Sequence, residues 1–170
     1  MTEPNPAPKH PPIHSRAAIK GHPLHPMLIH FPVAALLMLV ASDLAYWWTA
    51  DPFWARAGLW LVGVGAIGGW ISGVAGLIDL VTVPQVRGLI TAWCHSIIAV
   101  MLLSLASFNW LLRFGQPVEA VLPWGLLLSL LTAGLISLAG YLGGQLVYEH
   151  AVGVDTDEAA EKQDRARGSL

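Results

Sequence analysis

Residues 57–78 read AGLWLVGVGAIGGWISGVAGLI, a run without a single charged side chain. At about 1.5 Å per residue, a helix of this length crosses the roughly 30 Å hydrocarbon core of a bilayer. The run therefore predicts a membrane span. Asp79 ends it, and Pro84 stops any continuation. Within it Gly65, Gly69, Gly73 and Gly76 recur at four- and three-residue spacing. They fall on one helix face, where a neighbouring helix or a flat cofactor can approach the backbone closely.

The rest of the chain has the same character. Of 170 residues 55% are hydrophobic and only 12% charged, with a mean hydropathy of +0.58; a soluble domain carries roughly 25% charged residues. Three further spans follow from apolar runs: about Met27–Trp48, closing on the interface anchors Tyr46, Trp47 and Trp48; about Leu89–Leu112; and about Val121–Tyr148. Gly134, Gly140, Gly143 and Gly144 lie in the last of these. Short connections make neighbours antiparallel, so the predicted fold is all-α, an integral membrane four-helix up-down bundle with both termini on one side. Residues 1–20, rich in proline and basic side chains, are expected to form a disordered tail that includes His10 and His14, and 155–170 a charged, solvated one. This leaves 21–154 as the transmembrane domain.

Reversal of successive helices gathers His22, His25, His30, Asp79, His95, Glu149 and His150 toward one membrane face. Lysine and arginine are also concentrated there, with only Arg56 and Arg113 at the other face. The positive-inside rule then places both termini in the cytoplasm, and the protein is expected to be a multi-pass component of a bacterial inner (plasma) membrane.

Intramembrane histidines are costly unless paired or functional, and imidazole ligates iron, zinc or copper. Cys94 is the lone cysteine, so a metal would depend on histidine. His30 lies about one turn inside its span and His95 about two, a depth match that nominates them as a haem-binding pair. The glycine faces of spans two and four would make room for the porphyrin. A metal ion without porphyrin would draw on His25, His30, His95 and His150. Asp79 and Glu149, with His22 nearby, would orient the ligating rings through their second nitrogens. Asp43, thirteen residues past His30, belongs to the opposite face. There it is expected to bond Asn109 or Arg113 as a structural lock or to form part of a proton path.

The segments His22-Pro-Leu-His25-Pro-Met-Leu-Ile-His30-Phe-Pro32, Gly73-Val-Ala-Gly76-Leu-Ile-Asp79 and Gly143-Gly144-Gln-Leu-Val-Tyr148, with His95 early in span three, resemble a family of bacterial membrane proteins known as domain of unknown function 2231. Some members of that family look fused to Rieske iron-sulfur or cytochrome c modules. The resemblance therefore implies, by association, a place in electron transfer. Cys94 alone supplies neither a Cys-x-x-Cys-His haem attachment nor an iron-sulfur cluster, so a redox role would need non-covalent haem b or partner proteins.

The leading expectation is thus a b-type haem protein passing electrons between quinone or membrane and soluble redox partners. Alternatives are a non-haem metal-binding or metal-transport protein, and a structural or assembly subunit. The glycine faces equally suit a homo-oligomer. No hydrolase elbow, phosphate loop or zinc-protease motif is present, and no basic stripe suggests nucleic acid. Any enzymatic role would be confined to redox chemistry.

Overall fold

The computed structural model describes residues 13–154. Four helices are long and apolar enough to cross a membrane: α1 (Leu24–Thr49), α2 (Pro52–Thr82), α4 (Ile90–Arg113) and the segment Val121–Tyr148, which begins as a single π-type turn (Val121–Gly125) and continues as α5 (Leu126–Tyr148). A short α3 (Pro84–Arg87) joins α2 to α4. Before α1 lies a two-stranded hairpin, β1 (Ala18–Ile19) and β2 (His22–Pro23).

Local chemistry sets these boundaries. Ala50 closes α1 in the left-handed conformation, with φ +53° and its N–H donated to the Tyr46 carbonyl. Asp51 then caps α2 by accepting from the Phe53 N–H at 2.8 Å, and Pro52 occupies the first helical position, where its missing donor costs nothing. The resulting turn joins α1 and α2, which pack along more of their length than any other two helices among the described residues.

Helix α1 packs on α2 and α5, and α4 packs on the same two, so α1 and α4 lie diagonally opposite and run in the same direction. The core between them is apolar and small: Leu36, Leu39, Val62, Ala66, Leu102, Leu103, Ala106, Ile136 and Ala139. The outer surface is apolar as well, with Phe31, Trp48, Trp60, Ile90, Leu111 and Phe114 exposed. An apolar patch of that extent on a water-soluble monomer would be an aggregation site; around a four-helix bundle it is the lipid-facing wall. Ser42, Asp43, Ser72, Asn109, Arg113, Ser129 and Thr132 are buried instead.

Of the expected tail over residues 1–20, the part from Ile13 is built into the fold. From Ile13 onward the chain is folded against the bundle end. Ile13 pairs with the 151–153 segment, donating to the Ala151 carbonyl at 3.1 Å and accepting from the Gly153 N–H at 2.8 Å. Asp79 holds residues 15–17, accepting from Ser15 Oγ (2.6 Å), the Arg16 N–H (2.8 Å) and the Ala17 N–H (2.9 Å). A small cap of Leu80, Val83, Val86 and Ala92, with Ile13, Leu146 and Val152 against it, seals this end. Both ends of the described chain therefore meet at one end of the bundle. Residues 1–12, including His10, and the 155–170 tail lie outside the described residues.

Candidate functional site

Two polar centres occupy the two ends of the bundle. In the first, Asp43 of α1 and Arg113 of α4, both 0% exposed, form a bidentate pair: Nη1 donates to Oδ1 at 2.6 Å and Nη2 to Oδ2 at 2.7 Å. Arg113 Nε donates to Asn109 Oδ1 at 2.8 Å. Asn109 Nδ2 in turn donates to the Gly125 carbonyl (3.2 Å) and Ser129 Oγ (3.0 Å). The single hydroxyl proton of Ser129 has two acceptors within reach, Asp43 Oδ2 at 2.7 Å and the Gly125 carbonyl at 2.9 Å. The charged and shorter contact is the stronger one.

Helix α2 contributes a gap in place of a ligand. A Cβ on Gly58 would stand 2.9 Å from Arg113 Nη1, and one on Gly125 would stand 2.7 Å from Nη2. All four helices thus converge on one guanidinium. The expected lock between Asp43 and Arg113 is formed, with Asn109 as part of the same network.

In the second centre, His25 sits in the first turn of α1. Its Nδ1 lies 2.9 Å from the Ser72 carbonyl of α2. A carbonyl only accepts, so the ring proton is on Nδ1. Ser72 Oγ lies 3.1 Å from the same nitrogen and donates to the His25 carbonyl at 3.1 Å, which locks the ring to α2 from both sides. His95 of α4 repeats the arrangement with its Nδ1 2.9 Å from the Ala139 carbonyl of α5.

The two rings meet edge to face, centroids 6.0 Å apart and planes at 89°. Neither Nε2 has a hydrogen-bond partner among the described residues. In the neutral rings each Nε2 therefore keeps its lone pair, and each Nδ1–H rests on an acceptor. This is the outer-shell arrangement that orients metal-ligating histidines.

The structure pairs His95 with His25 and not with the expected His30. His30 is exposed on the outside of α1. The physical reason is helical register. His25 is eighteen residues before Asp43, five full turns at 3.6 per turn, so it shares the face that buries Pro32, Leu36 and Leu39. His30, five residues further on, is rotated about 140° away from it. Depth alone favoured His30, whereas face selects His25. The same register joins His95 to Arg113 in α4, again eighteen residues apart.

The other candidates disperse. His22 is exposed in the hairpin with its Nδ1 donating to the Lys20 carbonyl at 3.1 Å. Asp79 holds the 15–17 segment and orients no imidazole. Glu149 is exposed and meets Gln145 Nε2 at 3.4 Å. His150 is half-buried beyond the end of α5. Among the described residues no three His, Cys, Asp or Glu side chains come together as a metal site, so a cluster of His25, His30, His95 and His150 is not assembled.

The glycine face of α2 is filled. Leu36 packs on Gly65, Leu103 on Gly69 and Trp110 on Gly63. Gly76 and Gly143 accommodate the two imidazoles themselves, since a Cβ there would lie 3.1 Å from His25 Nδ1 and 3.4 Å from His95 Cε1. On α2 the expected porphyrin slot is thus occupied by the protein's own side chains, whereas on α5 nothing lies within 4 Å of where a Cβ would stand on Gly134 or Gly140.

Ser72 escaped the sequence reading. Its signal was present: it is the one hydroxyl in the charge-free, glycine-rich run 57–78, and a polar group there must find a partner inside the bundle.

No curated protein and no solved structure is similar enough to the chain to match. A sequence profile does match, over residues 21–156, and it carries the description "Predicted membrane protein (DUF2231)". It takes in all four spans, both polar centres and the hairpin from Gly21, and the chain belongs to that family.

Proposed function

We propose that this multi-pass membrane protein holds a redox-active transition-metal centre on His25 and His95 and exchanges electrons at that end of the bundle. One observation carries the reading: two imidazoles from diagonal helices, each fixed through Nδ1–H to a backbone carbonyl, face each other at 6.0 Å with both Nε2 atoms unpartnered among the described residues. With metal–nitrogen bonds of roughly 2 Å, a 6.0 Å separation of ring centres is short enough for one ion to be bound by both rings once their Nε2 atoms turn toward it.

The apolar core favours a resident centre over a path for ions. Leu36, Leu39, Val62, Ala66, Leu103 and Ala106 fill the bundle between the histidines and the Asp43 centre, and the buried Thr132 hydroxyl between them is already donated to the Leu128 carbonyl, so a hydrated ion would meet few polar steps. Haem b is the form of the centre that needs only two protein ligands, because the porphyrin supplies the other four. That count matches the two histidines brought together; of the glycines expected to receive the ring, those of α2 are filled and Gly134 and Gly140 of α5 are open. A non-haem iron or copper ion would complete its coordination with water or a partner's groups.

The test is a reduced-minus-oxidised visible spectrum with elemental analysis on protein expressed with ample haem and metals. The expected result is about one metal per chain, lost in His25→Ala and His95→Ala and kept in His30→Ala. Metal at background level in the wild type, or unchanged in both His25→Ala and His95→Ala, would overturn the reading.

A further inference from the structure

Outside the spans, the hairpin and the 153–154 segment enclose a cleft of about 420 Å³. Its lining includes the side chains of His14, Lys20 and His22 but no carboxylate among the described residues. Asp79 lies close by through Ser15, yet both its oxygens are already engaged by Ser15, Arg16 and Ala17.

The tip of the hairpin is built unusually. Lys20 and Gly21 both take positive φ, +49° and +82°, the pattern of a two-residue hairpin turn. Glycine takes this conformation readily, and Asn or Asp would be the common choice for its neighbour; lysine takes it at a cost. The fold nevertheless keeps an ammonium at this position. His22 is oriented by donating Nδ1–H to the Lys20 carbonyl, so its Nε2 points away from that bond. Two residues later α1 enters the membrane, which sets the cleft at headgroup level.

We propose that this cleft binds a phosphate-bearing anion at the membrane surface, with Lys20 as the charged anchor, the imidazolium form of His22 donating through Nε2–H, and His14 as a further donor. Cationic side chains near an anionic surface each strengthen attraction about fivefold. The site is independent of the His25–His95 pair, which lies within the spans.

Native mass spectrometry of the full chain, loaded with phosphatidylglycerol or phosphatidylcholine, tests this. Phosphatidylglycerol should remain bound under activation that strips phosphatidylcholine, with about a fivefold loss in Lys20→Gln, a further loss in the Lys20→Gln/His22→Asn double variant, and retention in Lys20→Arg. Arg56→Gln, at the opposite face, should behave as wild type. Adding excess inorganic phosphate separates the sources. Displacement of the lipid identifies a soluble phosphate compound as a competing ligand, and persistence identifies a lipid headgroup; either result supports a phosphate site. Equal stripping of both lipids with no phosphate adduct, or unchanged retention in the double variant, would overturn it.

Discussion

At the Asp43 end of the bundle the polar groups form a closed set, whereas at the His25 end they leave two ring nitrogens without a partner among the described residues. The same two helices build both ends. Asp43 and His25 lie five turns apart on one face of α1, and Arg113 and His95 five turns apart on one face of α4. Parallel, diagonal helices thus meet across the bundle axis twice, once through an ion pair and once through two imidazoles. The difference separates a polar centre whose groups satisfy one another from one that keeps ring nitrogens free within the described bundle. In the first, charge is matched to charge, the carboxylate accepts from Arg113 and Ser129, and glycines at 58 and 125 are shaped to the guanidinium. In the second, each ring is held by one nitrogen while the other remains available.

Substitutions should break this contrast in order of size. The largest effect belongs to Asp43→Ala, which leaves Arg113 buried without its counter-charge and should cost about 3–5 kcal/mol, read as lost thermal stability in detergent. Replacing the pair together, as Asp43→Leu/Arg113→Met, should recover most of that loss; a double variant as unstable as the single one would show that the pair itself is not the source. Next comes Gly58→Ala. Its methyl would crowd Arg113 Nη1 and Asp43 Oδ1, with an expected cost of about 1–3 kcal/mol in the same assay and no change in metal content.

At the other end Ser72→Ala removes the hydroxyl that bridges His25 Nδ1 and the His25 carbonyl. The expected stability loss is only about 1 kcal/mol, but metal affinity should fall about 10- to 100-fold, measured by competition with a chelator. An unchanged affinity would place the hydroxyl among structural contacts only. The smallest effect is expected for His30→Leu on the exposed face of α1: within about 0.5 kcal/mol, and no change in bound metal. A loss of metal in that variant would reverse the assignment of His25 over His30.

These contrasts also explain what could be read before the fold was known. The four spans, their antiparallel order and the Asp43–Arg113 contact were legible because apolar runs and buried charges each have few physical solutions. Depth nominates His30 and His95, and the structure puts His95 inside the bundle and His30 on its exposed face; counting back from Asp43, a residue that cannot face lipid, reaches His25 after five turns. Residues 13–17 were illegible for a different reason. Their order comes from hydrogen bonds to Asp79 and from the 151–153 segment, distant in sequence, while their own composition is that of a tail. The glycine face was found in sequence, yet what it receives depends on which neighbouring side chains point at it, and that information resides in Leu36, Leu103 and the imidazoles.

Five turns correspond to about 27 Å along each helix, close to the roughly 30 Å of a bilayer's hydrocarbon layer. The two polar centres are therefore spaced by nearly the thickness of that layer. The ion pair is sealed by protein on all sides and is indifferent to where the hydrocarbon boundary falls. The imidazoles are half-buried, one turn from the hairpin. A membrane a few ångströms thinner would bring them into the headgroup layer and a thicker one would submerge them in lipid, so hydrophobic mismatch would tune the solvation of one centre and leave the other alone.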